Sequence, residues 1–138
     1  SAPEWKEALD RIYLFAEIVD IRYEHYQFEL PDIIADNNAI AAVIWEQIKA
    51  LLFPNFQEVK RLYKNNGQTI EKGSTRSVMN HPFNALNWLV EKLAEQIDMS
   101  GKERVITGGL TKAVDIQREN TYLVELFDKD QLIGKLSF

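Results

Sequence analysis

The dipeptide Asn66-Gly67 constrains this chain more than any other feature. Asn-Gly supplies the positive φ angles that a tight hairpin demands, and it sits between two strand-like runs, Phe56 to Tyr63 and Gln68 to Lys72. A hairpin turning across Lys64-Asn65-Asn66-Gly67 is therefore expected. The C-terminal third carries the same signature, with short apolar runs at Arg104 to Thr107, Tyr122 to Phe127 and Leu132 to Phe138. The last two are separated by Asp128-Lys129-Asp130-Gln131, which reads as a turn.

Helical spacing occurs twice. Residues 3 to 14 place Pro3 in a first turn, with Trp5, Ala8, Leu9 and Ile12 on one face, and predict a short amphipathic helix running into a strand at Phe15 to Ile21. From Pro82 to Ile97 the residues Phe83, Leu86, Leu89, Val90, Leu93 and Ile97 share one face and predict the longest helix. The stretch Leu30 to Asn38 is expected to be a loop, and Ala39 to Trp45 a buried strand. No repeat or linker divides the chain, so residues 1–138 are expected to form a single α+β domain. Its largely antiparallel sandwich or roll carries an N-terminal helix and one long helix near 82–97.

Composition narrows the function. In 138 residues, 16 Lys and Arg face 21 Asp and Glu for a net charge of −5, without a basic cluster to meet nucleic-acid phosphates. No apolar run reaches the ~20 residues of a membrane span, and the opening Ser-Ala-Pro-Glu-Trp-Lys has no signal core. The absence of cysteine removes disulfides, thiolate nucleophiles and cysteine-based metal sites. A soluble, cytoplasmic protein that binds neither nucleic acid nor membrane is expected.

Few side chains suggest chemistry. Glu17 lies in a predicted strand, where an inward carboxylate needs a partner or a metal. His25 and His81 are expected on the surface or at helix caps, and Asp32 and Asp36 in Asx-turns or caps. The segment Thr107-Gly108-Gly109-Leu110-Thr111 either presents backbone N–H groups to an anion or forms a plain turn. Trp5, Trp45 and Trp88 are expected to be core or partly exposed packing.

The order of four segments resembles a family. Phe15-Ala16-Glu17-Ile18-Val19-Asp20-Ile21-Arg22, Ile34-Ala35-Asp36-Asn37, Gly73 ahead of His81-Pro82-Phe83-Asn84-Ala85-Leu86-Asn87-Trp88-Leu89, and Ile106-Thr107-Gly108-Gly109-Leu110-Thr111 occur in that sequence. Together they are similar to the C-terminal half of the 2-keto-4-pentenoate hydratases, which include the 4-oxalocrotonate decarboxylases and belong to the fumarylacetoacetate hydrolase superfamily. The resemblance implies a fumarylacetoacetase-like β-sandwich or roll. It also implies a Mg²⁺ or Mn²⁺ ion that grips the carboxylate and keto oxygens of a 2-oxo acid and stabilises an enolate. By the same resemblance, Glu17 is a remnant metal ligand, and Asp36, Asn37, Gly73, His81, Thr107 and Gly108 belong to the substrate pocket.

The departures shape the expectation. The Glu-x-Glu strand that completes the family's metal site has no counterpart among the sixteen residues before Glu17. Asn38-Ala39 stand where the family has Ala-Ser, Ser74-Thr75 where it has the end of Gly-x-Gly, and Asn80 where it has glycine. The expected protein is thus a shortened hydratase-like chain. Alone it is non-catalytic and without a cofactor, and it uses the old pocket or its rim for a small 2-oxo acid or a protein partner. One alternative is a fragment or subunit of an active Mg²⁺- or Mn²⁺-dependent hydratase or decarboxylase acting on 2-hydroxydienoates; another is an unrelated α+β binding module. A homo-oligomer, or a partner chain supplying the missing half, is expected, with Leu51-Leu52-Phe53-Pro54 and the C-terminal strand as candidate contact surfaces.

Overall fold

The computed structural model describes residues 9–48, 59–93, 95–96 and 101–138. Two antiparallel sheets organise it. Strands β1 (Tyr13–Val19) and β2 (Ile40–Gln47) form a two-stranded ribbon in which Phe15 faces Trp45 and Glu17 faces Val43. Strands β3 (Val59–Asn65), β4 (Gln68–Ser74), β5 (Tyr122–Asp128) and β6 (Gln131–Ser137) form a sheet ordered β4-β3-β5-β6.

The hairpin expected at Asn66-Gly67 joins β3 to β4, with φ of 47° and 83° at its two central residues. Two consecutive positive φ values are the turn geometry that matches the twist of the flanking strands. The second expected hairpin, β5 to β6, turns at Lys129-Asp130. The core forms where the ribbon packs across β6: Leu14 and Ala16 of β1, together with Ile48, meet Val124, Leu126, Ile133 and Leu136. In β1 and β5 these residues alternate with more exposed ones, as strand geometry requires, whereas in β6 Ile133 and Gly134 are buried in succession opposite a register shift at Leu126/Phe127.

Three expectations about elements are corrected. Residues 9–12 are not helical, and β1 already begins at Tyr13; the alternation Ile12, Leu14, Ala16 is a strand period, and Ile48 N–H donates to the Ile12 carbonyl at 3.0 Å. The rest of the expected N-terminal helix lies outside the described residues. The stretch Leu30 to Asn38, expected as a loop, contains helix α1 (Leu30–Ala35). Its start is fixed by Pro31 and by a reciprocal cap in which Glu29 N–H donates to Asp32 Oδ2 at 2.8 Å.

Residues 104–107 form no strand. The segment is an exposed, irregular stretch instead, with the Arg104 guanidinium 4.2 Å from the Trp45 ring centre and, further on, Leu110 against the core. The expected helix is present as α2 (Pro82–Leu93), with Phe83, Leu86, Leu89, Val90 and Leu93 partly buried and Glu91 and Lys92 exposed, as the spacing predicts. Phe83, in its first turn, packs on the core. The expected continuation to Ile97 lies outside the described residues.

Trp45 and Trp88 are about half exposed, the partly exposed of the two placements expected, and Trp5 is not among the described residues. The C-terminal strand turns Ile133 and Leu136 into the core of the chain and leaves Leu132 exposed. Leu51 to Pro54 lie outside the described residues. No described helix is long and apolar enough to cross a membrane.

Candidate functional site

A cavity of about 90 Å³ opens where β1, the end of β4, the start of α2 and the 107–110 segment converge. Its apolar walls include Leu14, Phe15, Phe83 and Leu110, and its polar lining comes from Arg61, Thr75 and Thr107, with the backbone of Gly108 beside them.

Strand alternation explains how a charge reaches this place. Arg61 and Tyr63 are two residues apart on β3 and therefore point to the same face, the one that packs into the core. Arg61 is only 9% exposed. Its Nε is shielded from water without a hydrogen-bond partner, and among the described residues no carboxylate lies within ion-pair distance. Burial pushes the Arg61 pKa below its usual value, while the charges of Tyr63 and Glu17 pull the other way. Arginine remains cationic at any ordinary pH.

Gly73 lies directly across from Arg61 on β4. A Cβ there would overlap the Leu110 carbonyl oxygen and lie 2.7 Å from the Leu110 carbonyl carbon. The bare glycine thus lets the 107–110 segment settle onto the sheet beside Arg61. Gly108 serves the same segment by turning at φ +110°, a conformation that side chains rarely adopt.

At the rim, His81 caps α2: Phe83 N–H donates to His81 Nδ1 at 3.0 Å, and the rings of His81 and Phe83 lie 4.9 Å apart. This agrees with the capping role expected of His81 and positions Phe83 in the cavity wall. His25 is exposed, in a turn with φ 60°.

The remaining expected pocket residues lie elsewhere. Asp36 is buried beyond the far end of the ribbon, roughly 13 Å along β1 from Phe15, and is held by Arg22. The Arg22 guanidinium donates to the Asp36 side chain and, at 3.0 Å, to its carbonyl, while Arg22 N–H donates to Oδ2 at 3.3 Å. These bonds hold the Asp36 carboxyl below the ordinary aspartate range, with burial opposing them. Asn37 is exposed at the start of a left-handed turn through Ala39 that feeds β2. Of the six residues assigned to the pocket by resemblance, Thr107 and Gly108 line the cavity. Gly73 and His81 shape it from behind, and Asp36 and Asn37 do not reach it.

Glu17 shares a strand face with Tyr13 and Phe15, opposite the buried Leu14 and Ala16, and is half-buried rather than pointing into the core. Among the described residues no group of three or more His, Asp or Glu side chains is placed to hold a metal ion.

Sequence reasoning misses Arg61 and the lining role of Thr75. The run Val59-Lys60-Arg61 reads as a solvated charge cluster. The signal that could find Arg61 is parity: it sits at even spacing from Tyr63, next to a predicted hairpin whose inner face must be apolar.

No protein-family model matches the chain. Individual relatives do. A 4-oxalocrotonate decarboxylase of Pseudomonas putida is 27% identical over 111 residues, 79% of this chain and 42% of that protein. A 2-oxo-hept-4-ene-1,7-dioate hydratase of Escherichia coli is 28% identical over 127 residues, 86% of this chain and 47% of that one. Among solved structures, the 4-oxalocrotonate decarboxylase of Pseudomonas putida G7 complexed with magnesium and adipate superposes with a TM-score of 0.80 and 25% identity, over 93% of this chain and 48% of that chain. This chain spans about half the length of each. In sequence and in fold, it matches half of a protein of the 4-oxalocrotonate decarboxylase and 2-oxo-hept-4-ene-1,7-dioate hydratase family.

Proposed function

We propose that this chain is a hydratase-like binding unit that takes a small 2-oxo acid into the cavity beside β1 and does not, by itself, carry out the metal-assisted chemistry of its relatives. The observation that carries this reading is the composition of the cavity. It pairs apolar walls with two threonines, a glycine backbone and one cation, a lining suited to an acid with a short carbon chain. The kind of ligand known for the fold points the same way, since one related structure is complexed with magnesium and adipate and another with calcium and acetate.

The donor set does not fit a resident Mg²⁺ or Mn²⁺. These ions take oxygen ligands in octahedral geometry and draw on carboxylates for charge. The described residues offer Glu17 alone on its strand face, and its field already falls on the Arg61 cation. No catalytic step through a metal is therefore assigned to the chain. What its residues do is bind and orient. Arg61 supplies charge, Thr75 and Thr107 offer hydroxyls, and Phe83, fixed by the His81 cap, excludes water from one wall.

A second reading is favoured by one observation, the match to only 42% to 48% of the relatives' lengths. A partner chain or a further segment that brings carboxylates to Glu17 would complete a metal-dependent hydratase or decarboxylase acting on 2-hydroxydienoates.

The test has two arms. In the first, the chain is assayed with Mg²⁺ or Mn²⁺ for hydration of 2-hydroxypenta-2,4-dienoate and decarboxylation of 4-oxalocrotonate, alone and with the other half of a relative added. No turnover is expected from the chain alone; turnover that disappears in Glu17→Gln overturns the non-catalytic part. In the second, a 2-oxo acid is titrated while amide resonances are followed. Shifts centred on Thr75, Thr107 and Gly108 are expected, and an unchanged spectrum overturns the binding part.

A further inference from the structure

Three polar side chains are buried among the described residues: Asp36, Arg61 and Thr75. Asp36 has Arg22 as its counter-ion. Arg61 has a solvent-shielded Nε with no partner among the described residues and lines an open cavity. A guanidinium N–H taken out of water without an acceptor is a net cost to the folded state. That cost is offset when an anion enters the cavity and completes the pair.

We propose that Arg61 anchors the carboxylate of the ligand, so that this chain holds a short-chain monocarboxylate through a fixed guanidinium and without a divalent cation. The proposal rests on the binding reading above and names the group that recognises the acid.

Charge and shape select the ligand class. Arg61 contributes one positive charge in an otherwise apolar cavity, which one carboxylate neutralises and a phosphate dianion would overshoot. The guanidinium presents parallel N–H donors that match the two oxygens of a carboxylate. Thr107 stands at the same cavity to hydrogen-bond a 2-oxo group or a remaining carboxylate lone pair, with Thr75 beside it in the lining, and Phe15, Phe83 and Leu110 receive the carbon chain. Glu17 acts on Arg61 only through its field, from beyond ion-pair distance, and makes no bond that would fill the site.

Calorimetric titration of the full chain with 2-oxopentanoate, in EDTA and again with Mg²⁺, tests this directly. Equal affinity in both buffers is expected. 2-Oxopentanamide, which keeps the chain and the keto group but loses the charge, is expected to bind roughly tenfold or more weakly, the usual factor for a charge-assisted hydrogen bond. Arg61→Met should lose affinity by a similar factor while keeping its circular dichroism and melting profile. Arg61→Lys, which keeps the charge without the planar fork, should fall between the two. If Arg61→Met fails to fold, the carboxylate-to-amide comparison and Arg61→Lys still decide the question.

Binding that requires Mg²⁺, is lost in Glu17→Gln and survives in Arg61→Met overturns this inference and leaves the cavity reading standing. Binding of the amide as tightly as the acid overturns it as well. Absence of any heat or resonance shift with 2-oxopentanoate overturns both the inference and the cavity reading.

Discussion

Tyr63 and Arg61 are two residues apart on one face of one strand, and they do opposite things. The Tyr63 ring stacks against Tyr122 at 5.7 Å and Phe138 at 6.4 Å, and Tyr122 and Phe138 stack on each other at 5.7 Å. This end of the sheet is also closed in hydrogen bonds. Tyr122 N–H donates to the Phe138 carbonyl at 2.8 Å, Phe138 N–H donates back at 3.1 Å, and Gln117 N–H donates to the Tyr122 hydroxyl at 2.8 Å. Burial pushes the Tyr63 hydroxyl pKa up, so the ring stays neutral. At the other end Arg61 is charged and buried beside a cavity, its Nε without a partner among the described residues. One end of β3 stabilises the fold and the other holds a group left without a partner among the described residues. Residues held at a cost to stability are where function concentrates.

The largest way to break this contrast is at the aromatic end. Tyr63→Ala removes a buried ring from the stack and is expected to lower unfolding stability by about 4 kcal/mol, read by urea denaturation. Gly73→Ala comes next. Its methyl group cannot share space with the Leu110 carbonyl, so the 107–110 segment must lift, at about 3 kcal/mol. Faster amide exchange from Thr107 to Thr111, with β5 unchanged, would show that the loss is local to the cavity. His81→Ala removes the acceptor for the Phe83 N–H and should cost about 1 kcal/mol, which His81→Asn should largely restore because asparagine is a good N-cap.

The smallest effect concerns Asp36, outside both regions. Its folded pKa lies below the unfolded value, so its contribution is present above the unfolded carboxylate range, near pH ~4, and is lost as pH falls through the folded value. Asp36→Asn should therefore be less stable than the parent at neutral pH, with the gap closing in acid. A gap that stays constant with pH would remove the charge from the account.

Much of the fold is legible in the sequence, and less of the site. The turn at Asn66-Gly67 is readable because few residues tolerate two positive φ values in succession, and β5 and β6 because alternation and a polar turn coincide. The collinear motifs are enough to point to the family that the relatives show. The start of β1 is hidden because Leu9, Ile12 and Phe15 fit a helical period as well as Ile12, Leu14 and Ala16 fit a strand. Residues 104–107 have strand composition but join neither sheet, and composition alone does not reveal that. Arg61 stays hidden because residue type outweighs position. Arginine is almost never fully buried, whereas its parity with Tyr63 places it inward.

The central claim is that Arg61 is kept for a ligand and not for stability. Urea unfolding of the parent chain and of Arg61→Met, each with and without 2-oxopentanoate, tests it most directly. Without ligand, Arg61→Met should be at least as stable as the parent, since an apolar side chain of similar length relieves a lone buried charge. With ligand, the midpoint should rise for the parent and rise less, at the same ligand concentration, for Arg61→Met. A midpoint that falls in Arg61→Met as far as in Tyr63→Ala, or that rises equally in both proteins on adding ligand, would contradict the account.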